Sequence, residues 1–298
     1  MFTRETVTEQ MAAAPLPILA RILLVTDFSP CSEVAAPVAK LLAESYGGTV
    51  TAAHVILRDL DLGPNEAVIG TPEEIAAIAE NEMAMFMTRN LLAGAESIIT
   101  SGHFEETIAN LVTEKQIHAV VVGTHGRTGV GKLLLGSVAQ RVFNSAPCPV
   151  VTVSAKVRTA SCTEAKLNKI LYPTDLSDIS KLALPYALSL AKINDAELLL
   201  AYAPEASVED EGLEQDFAEL SASAARSWHR VAGVSLTGDT VSGIVASAVS
   251  NAVDLIVIGA ERLSGGPLYR FNVPLTAAYQ IVANAPCPVL RVRSRTPE

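Results

Sequence analysis

Apolar positions along the chain gather into short unbroken runs separated by longer amphipathic stretches. Residues 21–26 form one such run, which predicts a strand buried on both faces of a parallel sheet. Ser29 can cap the helix that follows, with Ala35, Ala39 and Leu42 along one face, and Gly47-Gly48 stops it. Residues 49–56 read as a second strand, and 72–92 as a long helix with Pro72 tolerated at its start. Residues 95–99 read as a third strand, 107–115 as a helix, 119–122 as a fourth strand, 137–144 as a helix and 150–153 as a fifth strand. Alternation of this kind predicts a doubly wound, five-stranded parallel sheet with helices on both faces, an α/β fold.

The pattern then occurs again. Arg21 to Val55 lies over Lys169 to Ala203 at a constant offset of 148 without a gap. Thr26 and Asp27 meet Thr174 and Asp175, Ser29 meets Ser177, and Pro37 meets Pro185. Further on, Ala119-Val-Val-Val-Gly123 matches Leu255-Ile-Val-Ile-Gly259, and Ala146-Pro-Cys-Pro-Val150 matches Ala285-Pro-Cys-Pro-Val289. The offset at Gly123 and Gly259 is 136, so the second copy is shorter in mid-domain. A tandem duplication is the reading. It divides the chain into an extension at 1–19, a first domain at 20–154, a polar linker at 155–167 and a second domain at 168–294.

Composition narrows the function. Of the 298 residues 49% are hydrophobic and 18% charged, enough apolar material for two cores. The formal net charge of −10 argues against a nucleic-acid partner and against an anionic membrane surface. The apolar stretch from Met11 to Val25 follows Glu5 and Glu9 and contains Pro15, Pro17 and Arg21. It does not read as a signal peptide, and the cytoplasm is the expected compartment. The cysteines Cys31, Cys148, Cys162 and Cys287 form no CxxC pair, and buried reduced thiols are expected. The histidines show no metal-ligand spacing; of them, only His125 is placed near a ligand. Asp59 and Asp61 read as loop residues, Trp228 as a core residue on the long helix of the second copy, and Met83, Met85 and Met87 as either a helix packed on two sides or an interface.

The candidate chemistry follows the fourth strand, in Gly123-Thr-His125-Gly126-Arg127-Thr-Gly129-Val-Gly131-Lys132-Leu-Leu-Leu-Gly136-Ser137. Ligands of open α/β sheets gather beyond the carboxyl ends of the strands. Glycines there let backbone N–H groups close on phosphate oxygens. Gly136-Ser137 opens a helix whose free N–H groups and dipole favour an anion; Ser137 can cap that helix and donate to a phosphate, and Arg127 and Lys132 can add charge. Gly126-x4-Gly131-Lys132 imitates a P-loop, but Leu133 stands where such a loop needs a hydroxyl for magnesium.

The spacing Gly123-x2-Gly126-x9-Gly136-Ser137, with strand-one Asp27 and the Ala-Pro-Cys-Pro strand, resembles the universal stress protein (UspA-like) family in its tandem two-domain form. The resemblance implies the Rossmann-like, adenine-nucleotide alpha hydrolase-like fold and a loop that holds the phosphates and ribose of ATP. It carries Val25, Thr26 and Asp27 to positions beside base and ribose, Val55 to an adenine contact, Val122 to the position before the loop and Val138 to the position after Gly-Ser. Asp27 can instead be only a strand-end cap. The second copy departs from the pattern: Arg262 stands for Gly126, Asn272-Val273 for Gly-Ser, and Pro267 and Pro274 reshape the segment. The implied function is an ATP-binding stress sensor or regulator, with or without Mg2+, working through an unidentified protein partner. The two domains are expected to pair as an intramolecular pseudo-dimer, with a homodimer of whole chains left open. Two alternatives stay open: a slow ATPase or phosphoryl-transfer enzyme, and a nucleotide-independent interaction module.

Overall fold

The computed structural model describes residues 15–57, 70–92, 94–124, 136–157, 166–202, 211–234, 236, 239–260 and 277–293. The chain divides into two compact units, Leu19–Thr163 and Glu164–Glu298, the latter joined by the residues before Leu19.

The first unit contains β1 (Arg21–Val25), α1 (Pro30–Ser45), β2 (Thr49–Leu57), α2 (Pro72–Arg89), β3 (Glu96–Gly102), α3 (Phe104–Glu114), β4 (Ala119–Gly123), α4 (Ser137–Ser145) and β5 (Val150–Val153). Its strands are parallel and ordered β3-β2-β1-β4-β5. Alternation along the strands sends Leu23, Val25, Ala53, Val55, Val120 and Val122 to one face, where they pack with Phe104, Ile108, Ala139 and Val142 of α3 and α4. The opposite face carries α1, which buries Ala35, Ala36, Val38, Ala39 and Leu42. Strands buried on both sides explain the unbroken apolar runs. Local signals set the helix starts: Ser29 caps α1, and Thr71 with Glu74 closes a capping box on α2.

The second unit repeats the plan with β6 (Lys169–Thr174), α5 (Asp178–Lys181), α6 (Leu184–Asn194), β7 (Glu197–Tyr202), α7 (Glu211–Ser227), β8 (Val231–Val234), α8 (Thr240–Ser250), β9 (Leu255–Gly259), α9 (Ala277–Asn284) and β10 (Val289–Val292). The strand order is β8-β7-β6-β9-β10, again parallel. Arg21 pairs with Thr49 and Lys169 with Glu197, so the offset of the repeat is also the offset of the register. Among the described residues the units depart from each other after the first strand: α1 is continuous through Pro37, whereas the second unit breaks at Leu182-Ala183 and restarts as α6 with Pro185 in its first turn.

In both units β4 and β9 begin with the same arrangement in different chemistry. His118 Nδ1 accepts from the N–H groups of Ala20 (3.1 Å) and Arg21 (3.2 Å). Asp254 Oδ2 accepts from those of Asn168 (2.7 Å) and Lys169 (3.0 Å). Burial and the Arg21 guanidinium hold the His118 imidazole below its ordinary pKa, the direction its role as a double acceptor requires.

Trp228 departs from its expected place. It lies just past the end of α7, half-buried, with its indole N–H donating to the Ala196 carbonyl at 2.8 Å. A polar handle pulls the ring to the domain edge. Met83 is buried, Met87 half-buried and Met85 49% exposed, so the three methionines do not share one environment on α2. Cys31, Cys148 and Cys287 are buried and in no disulfide; Cys162 lies outside the described residues. Among the described residues no helix is long and apolar enough to cross a membrane.

Candidate functional site

After β1 the chain turns into α1 through Thr26, Asp27, Phe28 and Ser29. Thr26 Oγ1 accepts from the Phe28 N–H at 2.9 Å. Asp27 Oδ1 accepts from the Ser29 N–H at 3.1 Å and from Ser32 Oγ at 2.7 Å. These bonds hold Phe28 at φ +62°, a region that bulky residues seldom enter. The reversal presses its ring onto His54, with centroids 4.4 Å apart and stacked, and edge-on to Phe86 at 6.0 Å. His54 Nδ1 lies 2.9 Å from the Thr26 carbonyl oxygen. A carbonyl can only accept, so Nδ1 carries the proton and donates.

The sheet order places a topological switch between β1 and β4, because β1 leads outward to β2 on one side while β4 lies on the other. Crevices form at such points. A cleft of about 400 Å³ opens there, within the range of roughly 300–1,000 Å³ usual for small-molecule sites. The end of β1 contributes Val25, Thr26, Asp27 and Phe28; β2 contributes His54, Val55, Ile56 and Leu57; α2 contributes Ile75, Ile78, Ala79 and Glu82; and the starts of α3 and α4 contribute Phe104 and Val138. Arg141 of α4 grips Glu105 of α3 through two bonds of 2.6 and 2.8 Å and lies 5.2 Å over the Phe104 ring. This bidentate pair ties the two helix starts that wall the cleft.

At the β4 side, Gly136 is the N-cap of α4, with φ −59° and ψ 155° and no side-chain cap bond. Its N–H donates to the Thr124 carbonyl at 2.6 Å, so the chain that leaves β4 returns to the same point. The first turn of α4 has no acidic residue, which leaves the positive end of the helix dipole uncancelled by its own side chains.

Of the residues singled out from sequence, Val25, Thr26, Asp27, Val55 and Val138 meet at the cleft. Val122 is buried in the core beneath it. Gly123 is pressed against α1: a Cβ there would lie 2.6 Å from the Cys31 carbonyl carbon and 2.9 Å from the Ser32 nitrogen. Gly259 of the second unit meets Ile179 and Ser180 in the same way, at 2.1 and 2.6 Å. Helix-to-strand packing therefore accounts for this glycine in both copies. Ser137 opens α4. His125, Gly126, Arg127 and Lys132 lie outside the described residues, as do Asp59, Asp61, Ala203, Arg262, Asn272 and Val273.

Phe28, His54, Glu82 and Phe104 were not legible as cleft residues. Phe28 needs a backbone reversal no composition rule announces. The α2 wall had a signal, since Ile75, Ile78, Ala79 and Glu82 share the helical spacing i, i+3, i+4, i+7. Among the described histidines, His54 is the one that lines the cleft.

The second unit keeps the turn. Thr174 Oγ1 accepts from the Leu176 N–H at 3.0 Å, Asp175 Oδ1 accepts from the Ser177 N–H at 2.9 Å, and Leu176 has φ +65°. Burial pushes the Asp175 carboxyl up, but hydrogen bonds from the Ser177 hydroxyl and backbone outweigh it and hold the pKa below the usual value. Leu176 replaces Phe28, and Tyr202 replaces His54 and tilts against Phe217 at 5.7 Å. Among the described residues of the chain, no cluster of three or more His, Cys, Asp or Glu could hold a metal ion.

The universal stress protein family model matches the chain twice, over residues 19–154 and 166–293. A universal stress protein of Thermus aquaticus is 30% identical over 138 residues, which is 44% of this chain and 96% of that one. Another, from Methanocaldococcus jannaschii, is 31% identical over 144 residues, covering 45% of this chain and 81% of its own. The crystal structure of a universal stress protein from Archaeoglobus fulgidus has the same fold, with a TM-score of 0.71 at 17% identity across 93% of this chain and 99% of that one.

Proposed function

This chain belongs to the universal stress protein family, and on that premise we propose that its first half binds ATP and that the protein acts as a stress-response sensor or regulator rather than as an efficient enzyme. The observation that carries the reading is the cleft at the β1/β4 switch point. It runs from an apolar slot at β2 and α2 to Val138 in the first turn of α4, the helix whose N-cap is Gly136. The slot suits a flat base. The helix start suits phosphate, because its first N–H groups point out of the helix and its dipole is positive there. Gly126 and Ser137 complete the phosphate loop in this reading.

One nucleotide per chain is expected, because the second copy has Arg262 and Asn272-Val273 where the first has Gly126 and Gly136-Ser137. Equilibrium titration of the full chain with ATP, freed of any copurified nucleotide and run with and without Mg2+, tests the reading. Saturation near one equivalent supports it. No binding at millimolar nucleotide rejects it, and two equivalent sites reject the assignment to the first half.

A further inference from the structure

The cleft has two unlike ends, and the α2 end carries the carboxylate of Glu82; Asp27, the other acid of the lining, accepts hydrogen bonds from Ser29 and Ser32 in the turn after β1. In the sheet order, α4 packs on β4 and β5, whereas α2 packs on β2 and β3. The start of α4 is therefore at one end of the cleft and α2 at the other. On α2 the lining residues Ile75, Ile78, Ala79 and Glu82 form a single stripe. Three are apolar and the fourth is an acid. One further turn along the same stripe lies Phe86, fully buried and in contact with Phe28, which stacks on His54. Glu82 is half-buried and stands one turn before this aromatic group, on the wall of the slot.

A carboxylate in an apolar slot accepts hydrogen bonds and does not donate them. It favours a base edge that offers N–H groups and disfavours one that offers a carbonyl oxygen, because the carboxylate charge attracts the N–H dipole and repels the carbonyl dipole in a partly desolvated place. We infer that Glu82 is a specificity-determining residue of the nucleotide cleft, accepting a hydrogen bond from the exocyclic amine of the base and so favouring a 6-aminopurine over a 6-oxopurine. The inference rests on the nucleotide reading of the cleft. It assigns base discrimination to a helix side chain at the end away from the phosphate-binding helix start.

The experiment compares the full wild-type chain with Glu82→Gln, using ATP, GTP and purine riboside 5′-triphosphate, which lacks the 6-amino group. Glutamine keeps the size of the side chain and its helix preference, and its amide can turn to present either a donor or an acceptor. Exchange of a charge-assisted hydrogen bond for a neutral one weakens ATP binding about tenfold. Purine riboside triphosphate has nothing to lose and is expected to bind both proteins within a factor of about two, since only the hydrogen bond separates the two ligands. The preference for ATP over GTP falls in the variant. Equal weakening of ATP and purine riboside triphosphate would assign Glu82 a role in cleft shape and overturn the inference, as would unchanged ATP affinity. If wild type binds purine riboside triphosphate as tightly as ATP, the nucleotide reading stands and the discrimination by Glu82 is refuted. If wild type binds none of the three, the nucleotide reading itself fails and takes this inference with it.

Discussion

After β1 the first half turns through Thr26-Asp27-Phe28-Ser29, and after β6 the second turns through Thr174-Asp175-Leu176-Ser177; hydrogen bonds to the threonine hydroxyl and the aspartate carboxylate hold both. Gly123 and Gly259 admit α1 and α5 in the same close contact. These residues look like site residues in the first half because they lie beside the cleft. Their survival in the second half shows that they also serve the fold. What separates the halves is the packing around the turn: a Phe28–His54 stack in one, Leu176 and a Tyr202–Phe217 pair in the other. A residue shared by both copies therefore has an architectural role whatever else it does, and the differences between the copies are where a ligand role is to be sought first.

The sharpest way to break that comparison is to add a methyl group at the shared glycines. Gly259→Ala places a Cβ 2.1 Å from the Ile179 carbonyl oxygen, and Gly123→Ala places one 2.6 Å from the Cys31 carbonyl carbon. Both substitutions overpack helix against strand and are expected to cost about 3 kcal/mol of stability, with Gly259 the more severe. Thermal and denaturant unfolding measure this. A stable Gly123→Ala that had lost only ATP affinity would return Gly123 to a ligand role.

Gly136 offers the opposite test. Its φ and ψ suit any residue, so Gly136→Val is expected to cost no more than about 1 kcal/mol of stability, the scale of a poor N-cap. A branched side chain at the helix start would cover N–H donors. Each charge-assisted bond lost there is worth roughly 1.5–3 kcal/mol, so ATP affinity should fall about tenfold to a hundredfold. Unaltered affinity in the folded variant would move the phosphates elsewhere.

The aspartates distinguish the shared from the particular. Asp27→Ala and Asp175→Ala should each cost about 1 kcal/mol by removing the turn acceptor, and only Asp27→Ala should also weaken ATP binding. The lowered Asp175 pKa adds a pH signature. Its folded-state pKa lies below its unfolded value, so its contribution is present above the ordinary carboxylate range and is lost as pH falls through the folded value. Acid unfolding curves of the Asp175→Ala variant should be flatter over that window than those of the wild type.

His118 and Asp254 give the smallest effect. The His118 pKa is lowered from 6.5 in the folded chain, so the unfolded state binds more protons as pH falls below 6.5, and stability declines toward the folded value. His118→Asp transfers the acceptor of the second half into the first and should remove this decline while retaining the two N–H bonds. An unchanged slope of stability between pH 7 and pH 5 would show that His118 titrates alike in both states.

The amphipathic pattern alone determined the strand-helix alternation, the duplication and its register, because buried parallel strands must be apolar on both faces and tolerate few substitutes. The turn at Asp27 and the cap at Ser29 were legible for a similar reason: their hydrogen bonds are local, so the residues that make them stand close in the chain. The walls of the cleft were not. Phe28 reaches His54 through a left-handed backbone reversal, and Glu82 shares the slot with Val138, 56 positions later in the sequence. The packing role of Gly123 was not legible in the sequence, since only the approach of α1 to within 2.6 Å explains why a side chain is excluded there. Periodicity records what each element buries; which elements converge on one space is set by the order of strands in the sheet, and that order belongs to the tertiary structure.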